Sequence, residues 1–334
     1  MKYLRNILVI ATAVLGLGLI IVFVANGQAV KSNDQITLRF GHGAAETNER
    51  HLAVEYFKEL VEEESDGKIK VQIYPNEQLG SEAEMIESVA LNDLQMVAAS
   101  AYSQYDSKIS IIELPYLFDS YEEAWNLLDG EVGEKIAEPL LEDNLRILAY
   151  FENGFRHTTS NQPIESPEDL NGLKIRTPEF PISLSTFQAL GANPTPMAFG
   201  ELYMSLQQGT VDAQENPVAN VYASKFQEVQ QYLNFTGHQY MALPAAINEE
   251  FWQSLSSEMQ EVVETSGRKA AQYHRDLIVE NEEKMINDLK EDGMKMVEPQ
   301  KELFRKQTES VYESYESQFG SDLLGEVLQK VREE

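Results

Sequence analysis

From Ile36 onward the hydrophobic pattern switches repeatedly between a period of two and a period near 3.6, and this alternation limits the possible folds more than any other feature. The stretch "ITLRFGH" puts Ile36, Leu38 and Phe40 on one face of a predicted strand. A helix from about Asn48 to Glu64 follows, then a strand in "KIKVQIYP" with Ile69, Val71 and Ile73 inward. "SEAEMIESVALND" opens as a capped helix, Ser81 standing three residues before Glu84, and "LQMVAAS" reads as a short buried strand. This order is that of a mostly parallel sheet covered by helices on both faces. A second run begins near "RILAYFENGFRHTTS" and continues through a strand in "LKIRTP", a helix around 180 to 190, a strand near "PTPM", a helix in "GELYMSLQQ" and a strand in "TVDAQEN". Two α/β units are expected.

Between about Ser254 and Asp292 there is no proline, and Gly267 is the single breaker. Met259, Val262, Val263, Tyr273, Leu277, Ile278, Met285 and Leu289 recur near helical spacing, so one long helix or two abutting helices are expected. At 1.5 Å per residue such a helix reaches roughly 50 Å, enough to brace both units. Its apolar stripe keeps no strict heptad, which argues against a separate coiled coil. "MKMVEPQ" reads as a strand returning to the second sheet, and two acidic amphipathic helical segments finish the chain.

The 334 residues suffice for two domains with cores of their own. Residues 1–30 belong to neither: Lys2 and Arg5 precede an uncharged apolar run from Ile7 to Ala25, the pattern of an export signal or a membrane anchor. Gly27-Gln28-Ala29 offers a small-x-small cleavage site, yet the run approaches the ~20 residues that span a bilayer. Either outcome places the remainder outside the cytoplasm. With no cysteine, neither a disulfide framework nor a lipid-modified cysteine is available. Beyond residue 30, 24 bases face 55 acids, a formal net charge of −31. Such acidity and the lack of any basic stripe or zinc-finger spacing argue against nucleic acid as a partner. A local arginine cluster can still bind an anion, because scattered surface charges are screened over about 8 Å at physiological ionic strength.

Enzyme signatures are largely missing. There is no G-x-S-x-G elbow, H-E-x-x-H, Walker A or G-x-G-x-x-G pattern, and the glycines of "FGHG" fit a tight turn. Histidines 42, 51, 157, 238 and 274 form no i, i+3 or i, i+4 pair, and nothing selects a catalytic pair among the carboxylates. No catalytic residue, metal or cofactor is expected.

The informative residues lie in "NGFRHTTSNQPIESPEDLNGLKIRTPEF", "GANPTPMAFGELYMSLQQGTVDAQENP" and "KFQEVQQYLNFTGH", with "GKIKVQIYPNEQLGSEAEMIESV" and "LPYLFDSYEEAWNLLDG" upstream. Together they resemble the TRAP transporter solute-binding proteins of the DctP, or dicarboxylate-binding, type, over nearly all of the chain after the leader. The resemblance implies an α/β, two-domain periplasmic-binding-protein-like fold, type II-like, closing on one ligand by a hinge, with a long helix spanning both domains. The domains would comprise 34–153 plus 242–281, and 154–241 plus 282–334, the second carrying the carboxylate clamp. By the same resemblance Arg176 of "LKIRTP" grips the ligand carboxylate, Asn216 of "QENP" touches it, Arg156 of "GFRHTTSN" is a second pocket arginine and Phe199 of "PMAF" is a pocket wall. A guanidinium suits the first role because its planar fork meets a carboxylate in two parallel bonds.

Departures bear on the substrate. Where sialic-acid-binding relatives have a glutamate in the strand "MVAAS" this chain has Ala99, and where they have an asparagine at the end of the first strand it has Gly43, so sialic acid is disfavoured. His42 is placed to reach the cleft, and Glu179, three residues past Arg176, either accepts from sugar hydroxyls or faces water. Gln214, Ser100, Tyr102 and His51 are further candidates, since strand ends face the cleft in such sheets. The expected protein is an extracytoplasmic, monomeric receptor, not an enzyme, that hands a uronate, another sugar acid or a C4-dicarboxylate to the membrane permease subunits of a TRAP transporter. A receptor presenting its ligand to a sensor kinase or chemoreceptor, and a secreted hydrolase, are the rivals.

Overall fold

The computed structural model describes residues 35–333, so the apolar leader, with its expected role as signal or anchor, lies outside the described residues. Among the described residues, nine strands join one sheet: β1 (Ile36–His42), β2 (Ile69–Tyr74), β3 (Met96–Ala98), β4 (Leu145–Ser160), β5 (Lys174–Thr177), β6 (Asn193–Pro196), β7 (Ala213–Pro217), β8 (Tyr232–Asn248) and β9 (Lys295–Val297). They run in the order β2-β1-β3-β8-β4-β7-β5-β6, with β9 beside β8. The expectation of two mostly parallel sheets is corrected here. Pairs β1/β3, β5/β6, β5/β7 and β8/β9 are parallel, but β3/β8, β4/β8 and β4/β7 are antiparallel. The centre is two strands of 16 and 17 residues that pair from Leu145 opposite Asn248 to Ser160 opposite Tyr232.

β8 escapes the sequence reading because Gly237 and Pro244 look like breakers. Pro244 nevertheless stays in register opposite Tyr150, and its carbonyl accepts from the Ala99 N–H at 3.4 Å and the Tyr102 hydroxyl at 3.0 Å. Local signals elsewhere hold. The Asn48 side chain accepts from Arg50 N and caps helix Glu49–Glu64, and Ser81 and Glu84 form a reciprocal capping box on helix Glu82–Ala90. After a short helix, Glu249–Ser254, Ser256 caps a single 35-residue helix, Ser257–Glu291, which runs unbroken through Gly267. It packs on helix Glu49–Glu64, on β4 and on helix Val218–Ala223, and so touches elements from both flanks of the sheet. Three helices, Lys301–Gln307, Glu309–Phe319 and Ser321–Glu333, follow instead of two.

Each flank has its own apolar core. Met85, Ile86 and Val89 cover Val97 and Ala246 on the β1–β3 side. Ile278, Met285 and Leu289 of the long helix pack with Val218, Val221, Phe226 and Leu233 on the other. Each such buried side chain contributes about 1.5–3 kcal/mol to holding its flank together. No helix among the described residues is long and apolar enough to cross a membrane.

Candidate functional site

β7 lies between β4 and β5, and its register sets Arg156 opposite Pro217, His157 opposite Asn216 and Arg176 opposite Gln214. Side chains alternate along a strand, so Gln214 and Asn216 share a face, and Asn216 Nδ2 donates to Gln214 Oε1 at 2.6 Å. Arg176 donates from Nε and Nη2 to the Met197 carbonyl at 3.0 and 2.6 Å, and its guanidinium carbon lies 5.9 Å from the centre of the Phe199 ring. It is 2 % exposed. Burial brings its pKa down to about 10, which leaves it cationic at neutral pH.

Arg156 is also 2 % exposed, and it forks onto Glu215: Nε reaches Oε2 at 2.5 Å and Nη2 reaches Oε1 at 2.9 Å. Nη2 also meets the Glu215 carbonyl at 2.7 Å and Asn216 Oδ1 at 3.3 Å. Burial raises the Glu215 pKa, but the Arg156 charge and hydrogen bonds from His238 and Arg156 outweigh it, bringing the carboxyl to about 2. His238 is held below its usual pKa by burial, against the pull of Glu215, and its Nε2 lies 3.1 Å from Glu215 Oε2.

Of the residues singled out by sequence, Arg176, Arg156, Asn216, Phe199, Glu179 and Ser100 line one cleft. Gln214 is placed behind Asn216, donating to Thr159 Oγ1 at 2.9 Å, and does not line it. Neither does His42: buried at the end of β1, its Nδ1 accepts from the Ala44 N–H at 3.2 Å and its Nε2 meets His51 Nδ1 at 3.1 Å. Burial, with the nearby Arg50 charge, holds the His42 pKa well below the usual value. Tyr102 and His51 also stand outside the lining.

Sequence reasoning missed the opposite wall. Arg50 lines the cleft, donating Nη1 to Glu82 Oε1 at 2.8 Å and Nη2 to Asn153 Oδ1 at 3.1 Å. Glu82 Oε2 in turn accepts from both N and Oγ of Ser100 at 3.0 Å. Asn220 donates to Asn153 Oδ1 and to Asn216 Oδ1, each at 3.2 Å, tying this wall to the first. Asn153 falls where the pairing of β4 with β8 slips between Glu152 and Gly154, and Gly154 adopts φ +109, a turn of the backbone that disfavours a side chain. Glu77 completes the wall, its Oε2 accepting from Gly200 N at 2.8 Å. Burial and then the nearby Glu82 raise its pKa. Arg50 and Glu82 sit in the first turns of their helices, where charge ordinarily faces water, so sequence carried no signal for them. Among the described residues, no group of three or more His, Cys, Asp or Glu is placed to hold a metal ion.

The chain as a whole is similar to known proteins. The chain is 36 % identical over 264 residues to the 2,3-diketo-L-gulonate-binding periplasmic protein YiaO of Escherichia coli, covering 78 % of this chain and 80 % of that protein. It is 30 % identical over 303 residues to the C4-dicarboxylate-binding protein DctB of Bacillus subtilis, covering 89 % and 87 %. The crystal structure of a TRAP periplasmic solute-binding protein from Roseobacter denitrificans with bound L-galactonate matches with a TM-score of 0.83 at 34 % identity, over 89 % of this chain and 98 % of that one. The fold is therefore the two-domain one that the sequence resemblance implied. The model of bacterial extracellular solute-binding protein family 7, DctP, matches residues 40–318, the stretch that builds the sheet and both walls of the cleft, and this chain belongs to that family of binding proteins, which are not enzymes.

Proposed function

We propose that this protein captures a small organic acid in the cleft between the two flanks of its sheet and delivers it to the membrane subunits of a TRAP-type transporter. One observation carries the reading. Three guanidiniums line the cleft; Arg50 is paired with Glu82 and Arg156 with Glu215, whereas Arg176 has no carboxylate partner among the described residues. A buried cation that bonds only a backbone carbonyl favours an incoming anion, and the Arg fork suits a carboxylate. Arg156 and Asn216, bonded to each other, stand beside it to receive the same group. Residues 34–153 plus 242–281, and 154–241 plus 282–334, act as two domains that close by a hinge as the ligand bridges them. The family's relatives, named for a diketogulonate, a C4-dicarboxylate and an aldonate, support the acid class.

The test is a thermal-shift and calorimetric screen of carboxylic acids on the purified protein, with Arg176→Ala alongside. A ligand at 100 times its Kd stabilises by about 2.7 kcal/mol. Removing two charge-assisted hydrogen bonds, about 1.5–3 kcal/mol each, lowers affinity at least about 100-fold. Equal responses of wild type and variant to the best acid refute the clamp.

A further inference from the structure

The wall opposite Arg176 is built from acids, and it bears on which acid the cleft takes. Glu77 is a non-glycine residue at φ +54, directly after Asn76 at φ +56, a conformation that L side chains adopt rarely and that clusters where a site holds a residue in a set position. Its side chain is held by the Gly200 N–H, a contact that joins segments 123 positions apart. Gly43 makes room for it: a Cβ there would stand 3.2 Å from Glu82 Oε1 and 3.4 Å from Glu77 Cγ, so the bare backbone lets two carboxylates converge at the end of β1. Glu82 is already engaged, by Arg50 through one oxygen and by Ser100 through the other. Glu77 keeps Oε1 without a hydrogen-bond partner among the described residues, and exposed Glu179 lines the same cleft.

Charge across the lining then divides simply. Arg50, Arg156 and Arg176 stand against Glu77, Glu82 and Glu179, with Glu215 bonded to Arg156 from behind. The cleft holds one cation without a carboxylate partner among the described residues, while Glu77 and Glu179 add acceptor oxygens to the same lining. One carboxylate is accommodated at Arg176. A second would lie against like charge, which is penalised on the order of 100-fold in affinity, while hydroxyl groups donate to carboxylates in strong hydrogen bonds.

We infer that the ligand is a polyhydroxylated monocarboxylate, of the aldonate or uronate kind, and that Glu77 is a specificity-determining residue that accepts from its hydroxyls and rejects diacids. This rests on the carboxylate-clamp reading above.

The test is calorimetry at neutral pH on the purified protein with five probes: D-gluconate and D-galacturonate as polyhydroxylated monoacids, succinate and L-malate as diacids, and butyrate as an acid with neither feature. Wild type is expected to bind at least one polyhydroxylated acid ten-fold or more tighter than either diacid and than butyrate. Glu77→Gln keeps an acceptor and removes the charge, and is expected to narrow the monoacid-to-diacid ratio by about ten-fold, mainly through gain of diacid affinity. A diacid that binds as tightly as the polyhydroxylated acids, or a ratio unchanged in Glu77→Gln, overturns the inference. If the preferred ligand is a diacid and its binding is lost in Arg176→Ala, the clamp stands and this inference alone falls. Binding that is indifferent to Arg176→Ala, or no binding of any probe, defeats both.

Discussion

Glu215→Gln tests the polar machinery behind the cleft most directly. Arg156 and Glu215 are 2 % and 0 % exposed, and their two-bond fork is the only carboxylate contact of the Arg156 guanidinium among the described residues. Removing the carboxylate charge leaves the guanidinium buried with only neutral acceptors: the new amide oxygen at position 215, the residue 215 carbonyl, Asn216 Oδ1 and the Met241 sulfur at 3.2 Å. Breaking a buried pair in this way costs about 3–5 kcal/mol. The Glu215 pKa leads to the same scale: about 2 in the fold against 4.5 for the free group is worth about 3 kcal/mol. For a protein of this size the melting temperature falls about 2 °C per kcal/mol, so a drop of about 6–10 °C is expected at pH 7. The sign of the pH dependence is fixed as well. A carboxyl depressed in the fold contributes stability above its unfolded pKa and loses it as pH falls toward its folded value, so the gap between wild type and variant closes between pH 4.5 and about 2. Calorimetric scans at pH 7, 4.5 and 2.5 read this. A gap below about 1 kcal/mol at pH 7, or one that stays constant down to pH 2.5, refutes the reasoning. The double variant Arg156→Met with Glu215→Leu, which removes both charges, is expected to recover most of the lost stability.

Glu113 offers the opposite sign. Burial raises its carboxyl to about 8, against the weaker pull of Arg156, and its Oε2 has no hydrogen-bond partner among the described residues. An acid raised in the fold stabilises below its unfolded pKa and loses that contribution as pH rises from 4.5 through 8, so Glu113→Gln is expected to flatten this slope in urea midpoints taken at pH 6 and 9; an unchanged slope refutes it. Gly133→Ala would set a Cβ 1.8 Å from the Leu128 carbonyl oxygen and disturb the residue's own carbonyl, which accepts from the Tyr150 hydroxyl at 2.7 Å. Overpacking against backbone at this site costs about 3 kcal/mol, and a melting point within 1 °C of wild type contradicts it.

What could be read without coordinates follows the range of each signal. The strands at Ile36–His42 and Ile69–Tyr74, the capping box at Ser81 and the helical stretch that becomes Ser257–Glu291 are encoded by residues within a turn or two of one another. The family motifs marked Arg156, Arg176, Asn216 and Phe199, because each motif travels with its local backbone. β8 was missed because Gly237 and Pro244 interrupt its pattern while pairing with β4 and contacts from Tyr102 and Ala99 sustain it. His42 and Gln214 were placed at the ligand because strand ends point there; the fold turns both into supports, one for His51 and Ala44, the other for Asn216.

Sequence by itself determined the alternation of strands and helices, the family and the arginine on β5. Tertiary structure alone decided which arginine is left uncompensated. Arg50 meets Glu82 across 32 positions and Arg156 meets Glu215 across 59, pairings that no local pattern records. Glu77 reaches the cleft only through a left-handed backbone and a bond to Gly200. The physical reason is one of range: periodicity and capping act over a few residues, whereas charge compensation in a buried cleft depends on which side chains the sheet order brings within hydrogen-bond distance.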